Sequence, residues 1–337
     1  MDGRELTPSR PLSKRDLLDR VLTAIELSGW DALIISDEHP FLLRASKPPS
    51  ELMLRVYVWN LTPGGPRSVR PEDEWRIQIT GIQQLSLTPG ETTLLLGWHE
   101  GVQVFVGFDP WQHRRFGRSP SIQVRGAAVQ DAAKNGLSVH RRNSRDLAIA
   151  FKPDQFMNYA LNQAALHEFK RENEALALEA AATESGPDIT VVESLPRERQ
   201  AVILGVQRWM RERRFREEVL RAYRRQCAVC RIQLKLVDAA HIVPVSVPGS
   251  TDEVRNGLCL CPLHHRAFDA GLLLVYPDYH IRVNRQHLAN LRREGVSQGE
   301  ESMSELECNT IWVPERPEER PAREYLHKRL SLHGIPV

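Results

Sequence analysis

The sequence lacks the features that mark membrane, secreted and repeat proteins. Cysteine is absent before residue 227, and all five cysteines lie in the last third of the chain. No apolar run approaches the ~18 residues needed to span a bilayer, and the charged N-terminal segment contains no hydrophobic signal-peptide core. We also find no internal repeats. We therefore expect a globular protein that resides in the cytoplasm.

The sequence also lacks an excess of charge of one sign. Its 45 lysines and arginines nearly balance 43 aspartates and glutamates, which leaves a formal net charge of +2. A role in nucleic-acid binding therefore cannot be inferred from total charge and depends on where the arginines lie. With 337 residues, of which 41% are hydrophobic, the chain is large enough for two domains with separate cores.

The N-terminal part of the chain is predicted to be rich in β-structure. Four runs of β-branched and aromatic residues are separated by turn-forming Pro and Gly. They span residues 51–61, 75–80, 92–98 and 102–108, and the short gap between the last two predicts a hairpin. We therefore predict a β-rich domain over residues 1–150.

Helical segments are predicted after the β-rich domain. Residues 154–183 contain no Gly or Pro and are rich in Ala, Leu and Glu, which predicts one long helix or two abutting helices. Prolines then lie near both ends of the segment 185–196, as is typical of a linker. We predict a helical linker over residues 151–196 and a second domain over residues 197–337.

The second domain begins with a predicted basic helix over residues 197–226. Phe215, Val219 and Tyr223 fall on one face of this helix, and the segment 208–225 contains eight arginines and three glutamates. The arginines are either a solvated helix face or contacts for phosphate groups.

Two pairs of potential metal ligands follow the basic helix. Cys227 and Cys230 form one pair, and Cys261 and His264 form another with the same two-residue gap. Four such ligands suit tetrahedral structural Zn²⁺, which can contribute ~10 kcal/mol or more to the folding of a small domain. Cys259 competes with Cys261 for this role, but only Cys261 has the two-residue gap to His264.

Three short motifs accompany the zinc ligands. They read Ala-His-Ile-Val-Pro at 240–244, Asn-Gly-Leu at 256–258 and His-His-Arg-Ala-Phe-Asp at 264–269. In order and spacing they resemble the HNH (ββα-metal) endonuclease family, and the resemblance covers roughly residues 215–274. It implies an α+β protein whose C-terminal domain is a zinc-stapled ββα-metal nuclease.

The resemblance also implies roles for individual side chains. His241 would be the general base that takes a proton from the attacking water, and Asn256 would orient His241 or brace its loop. His265 and Asp269, one helical turn apart, would bind the catalytic cation, which could be Mg²⁺, Mn²⁺ or another divalent transition metal.

One position departs from the pattern of the family. Many members have a metal-binding Asp or His immediately before the general base, where this chain has Ala240. Asp238 lies two residues earlier, on the same face of a strand as Ala240, and is a possible substitute. Otherwise the cation would depend on His265, Asp269, water and the DNA phosphate.

A basic and aromatic segment in the first domain is a candidate for DNA recognition. Residues 108–125 contain four arginines, and no acidic residue occurs between 110 and 130. Arg114, Arg115 and Arg118 are predicted to contact DNA, and Trp111 is predicted to stack on a base. The alternative is an ordinary basic loop whose Trp111 and Phe116 pack into the β-core.

The predicted order of domains resembles that of modification-dependent (type IV) restriction endonucleases. This resemblance implies an enzyme that cuts double-stranded DNA carrying a modified base or backbone, with a β-rich N-terminal domain for DNA recognition. Because each chain would have one active site and a duplex has two strands, we expect a homodimer. The alternatives are an endonuclease for unmodified DNA and a non-catalytic zinc-containing DNA-binding protein. RNA is not excluded as a substrate, whereas the absence of a secretion signal argues against a toxin.

Overall fold

The chain forms two compact units, Met1–Met210 and Arg211–Val337. The structure, a computed structural model, describes residues 6–7, 10–64, 73–117, 120–143, 146–169, 171–183, 185–307 and 309–336. Within these ranges, no helix has both the length and the apolar character that crossing a membrane requires.

The first unit combines strands and helices. Its strands are β1 (Asp31–Ser36), β2 (Phe41–Lys47), β3 (Ser50–Pro63), β4 (Glu74–Gln78), β5 (Glu91–His99), β6 (Val104–Phe108), β7 (Ser121–Arg125), β8 (Leu137–Asn143) and β9 (Asp146–Phe151). Its helices are α1 (Lys14–Leu27), α2 (Gly126–Asn135), α3 (Phe156–Leu166), α4 (Glu172–Ala181), α5 (Ile189–Glu193) and the first half of α6 (Arg197–Ala222).

The strands form one sheet in the order β1-β2-β3-β5-β6-β9-β8, and β4 joins β3 to β7. Strands β3 and β5 run parallel, whereas β5 and β6 form the predicted antiparallel hairpin. The long β3 is buried on both faces because its alternate residues enter different cores. Val56 and Val58 belong to one core, and Tyr57 and Trp59 belong to the other.

The helices after the sheet belong to the first unit. The segment 154–183 forms two helices, α3 and α4, which bury Phe156 and Leu178 in the same core as the sheet. Ile203 of α6 enters that core as well. The segment that the sequence suggested as a linker is thus part of the first unit, because its apolar side chains need the sheet to cover them.

The second unit has a small ββα arrangement at its centre. Its remaining elements are β10 (Asp238–His241), β11 (Gly257–Leu260), α7 (Pro262–Asp269), β12 (Leu273–Val275), β13 (Ile281–Val283), α8 (Arg285–Arg293), α9 (Glu300–Ser304) and α10 (Arg323–Leu332). Strands β10 and β11 are antiparallel, and α7 follows β11 directly. The predicted α+β fold, with a β-rich N-terminal part and a ββα unit at the C-terminal side, is confirmed.

Gly257 allows α6 to pack closely on this hairpin. It stands opposite His241 in the register of β10 and β11 and has an extended backbone, with φ −125°. A Cβ atom at this position would lie 2.3 Å from Val219 Cγ2 and 3.1 Å from Phe215 Cζ. The glycine of the Asn-Gly-Leu motif is therefore required for packing and not for backbone conformation.

We expect Gly257→Ala to destabilise the protein by about 1–3 kcal/mol, since overpacking of a buried contact displaces its neighbours. The midpoint of thermal unfolding, followed by circular dichroism, should fall. Gly205→Ala is the matched control, because its Cβ would lie 3.6 Å from Trp209 Cζ2 inside α6. It should leave the midpoint unchanged or raise it, as Ala favours a helix over Gly by about 1 kcal/mol. Equal midpoints for Gly257→Ala and the parent protein would contradict the packing argument.

Candidate active site and metal centre

Four ligand side chains converge at the start of α7. The donor atoms of Cys227, Cys230, Cys261 and His264 all lie within 4.8 Å of one another. The Sγ atoms of Cys230 and Cys261 are 3.9 Å apart, and His264 Nδ1 lies 3.2 Å from Cys261 Sγ. A tetrahedral zinc site with Zn–S bonds of ~2.3 Å requires S···S separations of roughly 3.8 Å. The donor set and its spacing therefore fit Zn²⁺.

The cluster also favours the thiolate form of one ligand. Burial raises the pKa of Cys227, but hydrogen bonds from His264 and from backbone N–H groups outweigh burial and bring the pKa to about 6. Burial raises the pKa of Cys230 to about 11. Burial thus disfavours the thiolate form of Cys230, and a bound cation would offset that cost. Binding of Zn²⁺ would therefore release protons from the ligand thiols that are still protonated.

The choice between Cys259 and Cys261 is resolved by the strand geometry. Cys259 is in the middle of β11, opposite Ala239, and its side chain is part of the apolar core of the second unit. Burial raises its pKa to about 12. Cys261 caps the N terminus of α7 and lies in the ligand cluster.

His241 is held at the end of β10 by contacts on two sides. Its imidazole stacks on the ring of Phe215, with centroids 3.7 Å apart and an interplanar angle of 13°. Its Nε2 lies 3.1 Å from Oδ1 of Asp252, a residue in the loop between β10 and β11. Sequence reasoning missed Asp252, and the available signal was an acidic residue within the loop that joins the histidine and asparagine motifs.

Asn256 braces this loop from within. Its side chain is completely buried, and Oδ1 accepts a hydrogen bond from the Val243 backbone N–H at 2.9 Å. Its Nδ2 donates to the carbonyls of Val243 and Thr251 and to the Ser250 hydroxyl. Of the two roles considered for Asn256, this geometry corresponds to bracing the loop and not to direct contact with His241.

Helix α7 presents candidate metal ligands on two of its faces. His264 points into the zinc cluster, whereas His265 Nε2 lies 3.3 Å from Asp269 Oδ2. Both His265 and Asp269 are accessible to solvent. Within the described ranges, no further group of three or more His, Cys, Asp or Glu donors clusters as tightly as the zinc ligands. A cation held by His265 and Asp269 would therefore complete its coordination with water or substrate oxygens.

Arg329 of α10 caps the C-terminal end of α7. Its buried guanidinium donates to the Phe268 carbonyl at 2.8 Å and lies 3.6 Å from Asp269 Oδ1. Burial lowers the pKa of Arg329, and the Asp269 carboxylate opposes this shift. This contact was not found from the sequence, because more than fifty residues separate the helix from its cap.

The position before His241 lacks a usable carboxylate in this structure. Ala240 is buried, and Asp238 accepts a hydrogen bond of 2.6 Å from Arg216 Nε. Oδ1 of Asp238 is thus engaged with a guanidinium. Arg216 and Arg211 both lie on α6, and Arg211 Nε is 3.8 Å from Asp252 Oδ2.

The predicted DNA-contact loop of the first unit is anchored at its base and exposed at its tip. The side chain of His113 bonds to buried Asp146, and the Phe116 backbone N–H donates to the Gln83 carbonyl. Trp111 is 63% exposed, and Arg114 and Arg115 are also exposed. Arg118 lies outside the described residues.

The alternative considered for this loop, in which both Trp111 and Phe116 pack into the β-core, holds for only one of the two rings. Phe116 packs partly against the core, whereas Trp111 does not enter it.

Two segments of the chain match known families. Residues 227–276 match the HNH endonuclease family, and residues 53–160 match a family described as methylase-associated X1. No curated protein matches the chain. Among solved structures, a modification-dependent TagI restriction endonuclease is similar over 83% of this chain and 81% of that chain, with 14% identity and a TM-score of 0.30. The second unit therefore contains an HNH endonuclease domain, as its motifs implied, and the protein is a nuclease.

Replacement of the two competing cysteines tests the zinc assignment. We expect the purified protein to contain about one Zn²⁺ per chain, and Cys261→Ser to lose most of it. Cys259→Ser is the matched control and should retain the metal, because its thiol lies outside the ligand cluster. The zinc content of each purified protein is measured by inductively coupled plasma mass spectrometry. A chelator should lower the unfolding midpoint of the parent protein, since bound metal stabilises the folded state. Loss of zinc from Cys259→Ser alone would overturn the assignment.

Proposed function

We propose that this protein is a metal-dependent endonuclease that cuts double-stranded DNA carrying a modified base or backbone. The observation that carries this proposal is the arrangement of the HNH domain, in which His241 is fixed at the end of β10 and His265 is paired with Asp269 on the following helix. The first unit acts as the reader that selects the DNA.

The chemistry assigned to the site is hydrolysis of a phosphodiester. His241 accepts the proton of a water molecule as the water oxygen attacks phosphorus, and the bond from phosphorus to one ester oxygen breaks. The leaving oxygen takes a proton from solvent. His265 and Asp269 would hold the divalent cation, Mg²⁺, Mn²⁺ or another transition metal, which when bound stabilises the negative charge that develops on the phosphate. Arg329 keeps Asp269 in place by capping its helix.

Zinc and the catalytic cation have separate ligands in this proposal. The Cys₃His cluster supplies no open position, whereas His265 and Asp269 leave most of the coordination shell to water and substrate. The Cys₃His cluster therefore stabilises the fold, and His265 and Asp269 bind the cation that takes part in catalysis.

A reader is needed because phosphate chemistry alone does not distinguish DNA sequences. The first unit matches a family whose description associates it with methylases, which are enzymes that add methyl groups. Its anchored loop exposes Trp111 beside Arg114 and Arg115, a combination suited to base stacking and phosphate contact. We assign these residues, together with Arg118, to DNA contact.

The proposed active species is a homodimer in the cytoplasm. Each chain carries a single HNH site, and cutting both strands of a duplex requires two. A two-fold axis would supply the second site.

We expect the protein to cut modified duplex DNA in the presence of Mg²⁺ or Mn²⁺ and to spare the unmodified duplex. His241→Ala should lose activity by roughly 10²–10⁴-fold, which is the usual contribution of a general base. His327→Ala, an exposed histidine of α10, is the matched control and should cut normally. The assay is gel electrophoresis of plasmids that each carry one defined modification. Equal cutting of all plasmids would remove the reader function, and undiminished cutting by His241→Ala would remove the assigned base.

Binding measurements test the reader loop separately from cleavage. We expect Trp111→Ala to weaken binding to the modified duplex by about 1–3 kcal/mol, or roughly 5–150-fold in Kd, if its ring stacks on a base. Gln112→Ala, an exposed neighbour in the same loop, is the control. Fluorescence anisotropy with labelled duplexes gives both Kd values. An unchanged Kd for Trp111→Ala would exclude the loop tip from DNA recognition.

A further inference from the structure

We propose that Asp252 is a positioning residue that fixes the tautomer of His241, so that the proton is on Nε2 and the lone pair for catalysis is on Nδ1. This inference rests on the proposed role of His241 as general base, and it adds a residue that is not part of the histidine and asparagine motifs.

The first argument is the chemistry of the contact. Asp252 Oδ1 lies 3.1 Å from His241 Nε2, and an ionised carboxylate can only accept a hydrogen bond. Nε2 must therefore carry a proton in this contact. In a neutral imidazole the other nitrogen then has the free lone pair, which is the group that a general base needs.

The second argument is that the ring has little freedom to escape this contact. Phe215 covers one face of the imidazole at 3.7 Å with nearly parallel planes, and Phe215 is itself buried in the core of the second unit. Gly257, opposite His241 in the sheet, lets Phe215 approach so closely. The stack fixes the plane of the imidazole, and a half turn of the ring about its second side-chain torsion would break the hydrogen bond from Nε2 to Asp252.

The third argument is that Asp252 is held from both sides. Its second oxygen, Oδ2, lies 3.8 Å from Nε of the Arg211 guanidinium. The preceding residue, Thr251, is tied through its carbonyl to Asn256 Nδ2 at 2.8 Å. Asn256 thereby acts on His241 indirectly, by fixing the loop that presents Asp252.

The arrangement has the logic of a base oriented by an acid, as in the serine-protease triad, with Asp252 partly exposed to solvent. An asparagine at position 252 keeps the shape of the side chain but can donate through its Nδ2. It would then stabilise the opposite tautomer, in which His241 Nδ1 carries the proton and cannot accept one from water.

The test is the tautomer of His241 in the full-length, zinc-loaded protein. Long-range ¹H–¹⁵N correlation spectra of protein labelled on histidine are recorded at about pH 8, where an ordinary imidazole is neutral. His241→Ala identifies the resonance. We expect the Nε2–H tautomer in the parent protein and a shift toward Nδ1–H in Asp252→Asn. Asp238→Asn is the matched control, because Asp238 pairs with Arg216 and leaves His241 untouched.

Cleavage kinetics provide the second readout. In Asp252→Asn, kcat should fall by roughly 10²–10⁴-fold while Kd for DNA and the zinc content remain those of the parent protein. A parent protein with the Nδ1–H tautomer would overturn the proposal, even if Asp252→Asn does not fold. An unchanged tautomer in Asp252→Asn, with weakened Mg²⁺ binding, would also overturn it and make Asp252 a cation ligand. Failure of the parent protein to cut any DNA would remove the proposed function, whereas the spectra would still decide the role of Asp252.

Discussion

The Cys₃His cluster is the interaction on which the rest of the second unit depends. It joins the turn after α6 to the N terminus of α7, and these two points flank the short hairpin β10–β11. The hairpin has four residues in each strand and could not persist without support from outside the sheet. Metal binding at such a site contributes on the order of 10 kcal/mol to folding. The direction of α7 is therefore set by His264, and the face presented by the adjacent His265 is set with it.

The second support is the aromatic face of α6. Phe215 stacks on His241, Val219 packs against Gly257, and Tyr223 is buried beneath the hairpin. Three arginines of this helix make ion pairs with carboxylates of the second unit: Arg211 with Asp252, Arg216 with Asp238, and Arg221 with Glu319. Part of the positive charge of α6 is thus neutralised by carboxylates within the fold. To contact phosphate groups, these arginines would have to exchange their carboxylate partners for phosphate oxygens. The same helix consequently contributes to the core, to the position of His241 and to the charge balance of the unit.

The sequence was most informative where chemistry restricts residue type and spacing. The sequence could single out the Cys₃His group that the structure brings together, and it proposed the motif histidines and Asn256, because metal coordination and proton transfer allow few side chains. The strands between 51 and 108 and the hairpin at 99–104 could be predicted from β-branched runs and turns. The division into units could not be predicted in the same way. A helix is a core element and not a linker when its apolar side chains are covered by other elements, and only the folded chain shows that Phe156 and Leu178 are covered. Asp252 and Arg329 were missed for a similar reason: only the folded chain creates their contacts with His241 and with the end of α7.

The central claim is that two neighbouring histidines of α7 serve two different metals, one structural and one catalytic. The most direct measurement is the zinc content of His265→Ala together with its rate of DNA cleavage as Mg²⁺ is increased, under conditions in which the parent protein is active. The account predicts full zinc content, an intact fold and little or no cleavage at any Mg²⁺ concentration that saturates the parent. Loss of zinc, or cleavage at the parental rate, would show that His265 does not hold a separate catalytic cation.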